Sequence, residues 1–242
     1  MEYYREHDHG GDPVKILELF AGTRSVSKAF ERLGDQTYDI EWDRRHPDID
    51  WYADISKITV NDIVRRFGIP DVVWASPPCQ SYSVICIGRY RRKGEDGICY
   101  PVSNFAKESD RLVHHTMDLI EGLQEMNPDL IWFMENPRGG LRVSEPVIKR
   151  GYNKYRHTVT YCQYGDTRMK PTDIWTNIAN PLFKPPCKNG DPCHDRSPRG
   201  SRNGTKGLKD AVERSRIPEL LCDHIAEICH FHNEDRGFPL MA

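Results

Sequence analysis

The stretch Lys15–Ser25, KILELFAGTRS, decides the fold class. Lys15–Phe20 is a short apolar run of the length of a buried strand. Ala21–Ser25 is a turn, and Ser25 is placed to cap a helix whose apolar face is Val26, Ala29, Phe30 and Leu33, with Gly34 as its stop. The alternation continues outward. Gln36–Ile40 reads as a strand ending at Glu41-Trp42-Asp43, and Ile49–Ala53 as an extended piece before Asp54. Val60–Phe67 reads as a helix and Asp71–Ala75 as a buried strand. A long irregular stretch, Ser76 to about Lys107, precedes a helix marked by Leu112, Thr116, Leu119, Ile120 and Leu123. Leu130–Met134 is a further strand, stopped at Glu135-Asn136-Pro137. Tyr155–Tyr161 and Asp173–Thr176 look like two late strands. Pro181–Gly207 is rich in Pro, Gly and Arg, and Ile217–Ile228 is a final amphipathic helix. Strands alternating with helices imply an α/β fold, a mainly parallel sheet with helices on both faces. In such sheets ligands bind beyond the carboxyl ends of the strands. Polar clusters fall at three of those ends, after Phe20, Ala75 and Met134.

The 242 residues suit one globular domain with at most a small appendage. Hydrophobic residues make up 38% and charged residues 29%, enough apolar material for a core and too balanced for a disordered chain. The formal charge of -2 excludes a uniformly basic coat but not a local basic patch. No apolar run approaches the roughly 18–20 residues of a membrane helix, and the polar first dozen residues do not resemble a secretory signal. The eight cysteines, at 79, 86, 99, 162, 187, 193, 222 and 229, read as reduced thiols of a cytosolic protein.

The first turn is one side of a ligand pocket. Its backbone N–H groups and the helix start attract a carboxylate or phosphate. Glu41 can accept hydrogen bonds from ribose hydroxyls, Trp42 can stack on a purine, and Asp54 can accept from an exocyclic amine. Phe20-Ala21-Gly22 alone fits an ordinary strand–turn–helix equally well; Glu41 beside Trp42 tips the balance toward an adenosine-bearing ligand. The other side is Ser76-Pro77-Pro78-Cys79-Gln80-Ser81-Tyr82-Ser83. A cysteine after two prolines sits on a stiff turn and is a candidate nucleophile, provided its surroundings favour the thiolate; a buried thiol in a proline turn is the plain alternative. Glu135, at the next strand end, can reach the same rim. A thiol and a carboxylic acid together suit conjugate addition to a pyrimidine: sulfur adds at C6 while the acid meets N3, and C5 becomes nucleophilic.

In this order the motifs resemble those of the DNA (cytosine-5)-methyltransferase family, over most of the chain. Leu19-Phe20-Ala21-Gly22 is similar to the family's first cofactor motif, Glu41-Trp42-Asp43 to its ribose and adenine contacts, and Asp54-Ile55 to the third cofactor motif. Ser76–Ser83 resembles the Pro-Cys-Gln catalytic motif and Glu135-Asn136-Pro137 the Glu-Asn-Val motif; Arg216–Ile228 resembles the last motif, whose helix closes the cofactor pocket. The resemblance implies a Rossmann-like S-adenosylmethionine-dependent methyltransferase sheet with a small irregular target-recognition segment. Cys79 would be the nucleophile and Glu135 the acid at N3. S-adenosylmethionine would lie on Phe20, Ala21, Gly22, Thr23, Ser25, Glu41, Trp42, Asp54, Ile55, Ser76 and Pro78. The implied layout is a catalytic domain over residues 1–176, a reduced target-recognition segment over 177–208, and a C-terminal helix over 209–242 that returns to the catalytic domain.

Three departures stand out. Thr23, Arg24 and Ser25 follow Gly22 where the family usually has further glycines, so Arg24 must point away from the cofactor or the turn must bear a tighter conformation. The family's two eighth-motif arginines fall in register on Pro171 and Asp173, leaving Arg168 or Lys170 to take their place. The recognition segment is far shorter than usual.

The expected partner is double-stranded DNA bound by a monomer, with no membrane, in a bacterial or phage-infected cell. Between Arg138 and Lys206 there are fourteen basic residues and five acidic ones, a local excess of nine in a chain of net charge -2. Candidate contacts are Gln80, Ser81, Arg89, Arg91, Arg92, Arg138, Arg199 and Arg202, with Arg89–Lys93 as a basic loop after the catalytic motif. The target base must leave its stack. So small a segment reads a short target of about two to four base pairs, each bidentate contact giving about 1–3 kcal/mol. Cys187, Cys193 and His194 could hold a metal such as zinc, with Cys222, His224, Cys229 and His230 completing the set if the last helix lies near; packing thiols are the default. A tRNA cytosine methyltransferase and a non-catalytic nucleic-acid binder remain as alternatives. An adenine-N6 enzyme is disfavoured, because Ser76 and Cys79 stand where it needs Asp or Asn and an aromatic.

Overall fold

The computed structural model describes residues 12–84, 87–196 and 210–237. In chain order the elements are β1 (Lys15–Leu19), α1 (Ser25–Arg32), β2 (Gln36–Glu41), β3 (Trp51–Tyr52), α2 (Val60–Phe67), β4 (Val72–Ala75), α3 (Ile87–Tyr90), β5 (Arg91–Lys93), β6 (Cys99–Pro101), α4 (Asn104–Met126), β7 (Ile131–Pro137), α5 (Glu145–Lys149), β8 (Arg156–Thr160), β9 (Pro171–Thr176), α6 (Ala211–Ser215) and α7 (Glu219–Gly237). Short 3₁₀ turns lie at Ile55–Lys57, Gln80–Tyr82, Gly140–Val143, Tyr152–Tyr155 and Tyr161–Tyr164.

Seven strands form one sheet in the order β3-β2-β1-β4-β7-β9-β8. The pairs from β3 through β7 are parallel, and β9 lies antiparallel between β7 and β8. The chain order reverses between β1 and β4, so the crevice beyond their carboxyl ends is a topological switch point.

Alternation along each central strand explains the two layers. Ile16, Val72, Trp74, Ile131 and Phe133 face one side, under Val26, Ala29 and Phe30 of α1 and Leu221, Cys222, Ile225 and Ala226 of α7. Leu17, Leu19, Val73, Ala75, Trp132 and Met134 face the other, under Ile63 of α2 and Val113, Met117, Ile120 and Leu123 of α4. Each such Leu, Ile or Phe contributes about 1.5–3 kcal/mol by leaving water. No described helix is long and apolar enough to cross a membrane.

Several expectations need correction. Ser25 does not cap α1; Arg24 stands at the N-cap with no side-chain cap, and the Ser25 hydroxyl pairs with that of Thr23. The stretch from Ser76 to Lys107 is not wholly irregular, for it contains α3 and the antiparallel β5–β6 hairpin. The terminal helix is preceded by α6 and runs on to Gly237. Residues 177–196 carry no helix or strand, as their Pro and Gly content leads one to expect.

Candidate active site

The β1–α1 turn makes its bend without the extra glycines. Phe20 (φ 61°), Gly22 (φ 49°) and Arg24 (φ 56°) all take left-handed conformations. For a non-glycine residue that costs about 1–2 kcal/mol. Arg24 is held there by Asp39 and Glu31, so its guanidinium is engaged with β2 and α1. The Gly22 N–H donates to Glu41 Oε2 (3.0 Å), while Glu41 Oε1 accepts from the N–H groups of Trp42 and Asp43 (2.9 Å each). The carboxylate of Glu41 thus ties the first turn to the end of β2. Trp42 leaves its ring 72% exposed, free to stack. Asp54 accepts from Ser56 N (3.1 Å) and Oγ (2.7 Å) as the cap of the 3₁₀ turn whose Ile55 is buried. Ala21 is buried, and Phe20 and Thr23 are partly exposed around the same turn.

Ala75 pairs with Met134, so Ser76 and Glu135 stand side by side where β4 and β7 end. The Ser76 hydroxyl accepts from the Trp74 indole (2.9 Å). Asn136 donates its amide to the Pro77 carbonyl (2.8 Å) and fixes the Pro-Pro-Cys turn to β7. Gly139 permits a close crossing: a Cβ there would lie 2.6 Å from the Tyr82 carbonyl oxygen. Cys79 is half-buried on this turn, while Pro78 and Gln80 are exposed.

Glu135 is 7% exposed and accepts from the Tyr161 hydroxyl (3.2 Å). Burial pushes its carboxyl above the ordinary range, against the pull of Lys170 and Tyr161. Burial, then the charge of Glu135, pushes the Cys79 thiol up, and Lys170 and Arg214 pull it down. Burial also lowers Lys170, which Glu135 and Cys79 oppose. The ammonium of Lys170 lies 4.4 Å from the Tyr161 ring centroid and donates to the Arg214 carbonyl (2.9 Å). Cys79, Glu135, Tyr161 and Lys170 therefore form one electrostatic group. Arg168 is instead folded onto Asp166 and is 8% exposed. Asp173 is buried and holds Arg142 through both oxygens (2.6 and 2.9 Å).

Two candidate DNA contacts are not on the surface. Arg91 and Ser81 are buried. The Arg91 guanidinium donates to the Ser81 carbonyl and hydroxyl (3.0 Å each) and to both oxygens of Asp110 (2.7 and 3.1 Å). It also stacks 4.0 Å over the Tyr82 ring. These contacts tie β5 and α4 to the 3₁₀ turn that follows Cys79. Arg89, Arg92 and Arg138 are exposed; Arg199 and Arg202 lie outside the described residues. Cys187, Cys193 and His194 come together, but their fourth neighbour is Cys162. Cys222 and Cys229 are in the core, His230 pairs with Asp35 (2.7 Å), and His224 meets the Pro181 carbonyl (3.2 Å). Tyr161 carried no signal of its own in the sequence, Asn136 was quoted only as part of Glu135-Asn136-Pro137, and Cys162 only as one of eight thiols; the ends of β7 and β8 bring them to these positions.

A family model described as C-5 cytosine-specific DNA methylase matches residues 14–141, which include Cys79 and Glu135. A Frog virus 3 (isolate Goorha) protein described as a probable DNA (cytosine-5)-methyltransferase is 28% identical over 244 residues, covering 89% of this chain and 100% of its own length. Among solved structures, an Entamoeba histolytica methyltransferase matches with a TM-score of 0.46 at 14% identity, over 69% of this chain and 53% of its own. Spodoptera frugiperda DNMT2, in a substituted form, matches with a TM-score of 0.40 at 15% identity, over 68% and 51%. The chain spans about half the length of these two solved proteins.

Proposed function

The chain belongs to the C-5 cytosine-specific DNA methylase family, and from that premise we propose that it methylates cytosine at C5 in double-stranded DNA, with Cys79 as nucleophile and Glu135 as acid. The observation that carries the proposal is the joint position of a half-buried thiol and a buried carboxyl whose pKa burial raises, with Lys170 acting on both. A thiolate of Cys79 adds to C6 of the extruded base and forms a C–S bond. Glu135 gives its proton or a hydrogen bond to N3, so charge does not accumulate on the ring. C5 would take the methyl group as the donor's S–CH3 bond breaks; the C5 proton then passes to solvent, the Cys79 sulfur leaves as thiolate and N3 returns its proton to Glu135, which restores the pyrimidine. Tyr161 and Lys170 hold the charge balance at this edge, and Asn136 keeps the turn of Cys79 beside Glu135.

The β1–β2 end fits S-adenosylmethionine. Glu41 joins the Gly22 turn to β2 and retains a lone pair on Oε2 for a ribose hydroxyl, Trp42 offers an open ring for adenine, and Asp54 is half-exposed beyond them. That cofactor supplies a methyl group carried on sulfonium. Phe20, Ala21, Thr23, Ser25, Ile55, Ser76 and Pro78 complete the cradle; Arg24 points elsewhere. Gln80, Arg89, Arg92 and Arg138 are the described candidates for DNA, the target is short, and the protein acts as a monomer.

DNA containing 5-fluorocytosine tests this directly. With cofactor present, a covalent protein–DNA adduct is expected at Cys79, and Cys79→Ala forms none while still binding S-adenosylhomocysteine. Absence of the adduct with cofactor bound leaves a non-catalytic binder. Competition between DNA and tRNA in a tritium-transfer assay reads the substrate, and preferential labelling of tRNA would displace DNA from the proposal.

A further inference from the structure

Three cysteines outside the catalytic turn converge with a histidine. Cys162 lies in the 3₁₀ turn after β8; Cys187, Cys193 and His194 come from the segment that follows β9. Their ligand atoms all lie within 4.8 Å of one another. The sulfurs of Cys193 and Cys162 are 3.7 Å apart, and His194 Nδ1 is 3.7 Å from Cys187 Sγ and 3.6 Å from Cys193 Sγ. A tetrahedral zinc ion, with Zn–S of about 2.3 Å and Zn–N of about 2.0–2.1 Å, sets such ligand edges at about 3.5–3.8 Å. Of the edges measured, Cys162–Cys187 at 3.1 Å is tighter than that, and both thiols are free.

The surroundings suit a metal rather than four unrelated side chains. The Gln163 side-chain amide donates to Cys193 Sγ (3.5 Å), the kind of outer contact that steadies a ligating thiolate. Residues 177–196 have no helix or strand, and Pro181, Pro185, Pro186, Gly190 and Pro192 interrupt them. Beyond Ile178 and Phe183, which pack on the core, the segment buries little apolar surface to fix its own course; metal-binding free energy can do so. We infer that Cys162, Cys187, Cys193 and His194 bind a structural zinc ion that clasps this segment to the turn after β8. All four positions are filled by protein, so the site is closed and has no place for a substrate. The clasp adjoins Tyr161, whose hydroxyl rests on Glu135, so the recognition segment and the acid share one anchor. The inference does not depend on the reaction proposed above.

Metal analysis of the full chain, purified reduced and without chelator, tests it. About one zinc per chain is expected, with loss in Cys187→Ser and Cys193→Ser and retention in Cys99→Ala. Exchange into cobalt(II) reads the unaltered chain, so the result does not depend on how the variants fold. Thiolate-to-cobalt charge transfer and the intense d–d bands of a tetrahedral site are expected, the charge transfer weakened and the d–d bands kept in Cys193→His. An unaltered chain that takes up neither metal, or one in which Cys162 and Cys187 emerge as a disulfide under reducing purification, overturns the site.

Discussion

At residue 170 the chain carries an ammonium group whose charge lowers the pKa of a thiol and a carboxyl together, against the burial that raises both. The charge of Glu135 opposes a thiolate at Cys79, and Lys170 is the foremost cation acting in its favour. Lys170→Met removes a cation that favours the thiolate, so the Cys79 pKa rises and the alkaline gain in reactivity comes later. Alkylation of Cys79 by iodoacetamide, followed by peptide mass spectrometry across pH, should move to higher pH, each unit cutting the thiolate fraction about tenfold below the pKa. Lys170→Arg should restore most of the profile. An unmoved profile in Lys170→Met would remove the ammonium from the account. The placement of Cys79 and Glu135 at the ends of neighbouring strands was legible because each sits in a short motif directly after an apolar run. The choice between Arg168 and Lys170 was not. It rests on Asp166 engaging the arginine and leaving the lysine to turn inward.

Where β1 lies under α1, Glu18 is 2% exposed and accepts from the Ser27 N–H (2.7 Å), beside Asp39. Burial, then the charge of Asp39, pushes its carboxyl from 4.5 up to about 8. A carboxyl whose folded pKa is raised contributes full stability below its unfolded value and loses it as pH rises through the folded one. The strand–helix contact should therefore weaken between about pH 4.5 and 8, by at most about 1.4 kcal/mol per pH unit. Glu18→Gln keeps an acceptor for Ser27 and loses the titration. Chemical denaturation at a series of pH values should show the variant gaining on the parent across that window, and parallel curves would refute the assignment. The sheet was legible at this scale because buried parallel strands are short, nearly continuous apolar runs. The β5–β6 hairpin was hidden for the opposite reason. Arg91-Arg92-Lys93 has no apolar alternation, and Arg91 is inside only because Asp110, Tyr82 and Ser81 surround it.

For the whole molecule, a net charge of -2 must meet a polyanion through local charge, and several basic residues between 138 and 206 are already paired within the fold, Arg150 with acids outside that block. Arg142 is held by Asp173, Arg168 by Asp166, Arg150 by Asp118 and Glu121, and Lys149 by Glu145. Sequence counts charges but not their pairings, so the block looked more available than it is. Arg138 is exposed and follows the carboxyl end of β7, its N–H on the Pro171 carbonyl (2.9 Å); Arg92 is exposed on the β5–β6 hairpin. Each phosphate neutralised adds about -0.9 to the slope of log K against log salt concentration. Arg138→Ala and Arg92→Ala should each make the slope shallower by about 1. Arg150→Ala should leave it alone, because that guanidinium is already neutralised by two carboxylates. Fluorescence anisotropy with one duplex at several salt concentrations reads all three. Equal slopes in the parent, Arg138→Ala and Arg92→Ala would move the DNA path off the β7 rim, and a shallower slope in Arg150→Ala would mean that its ion pairs open to receive the duplex.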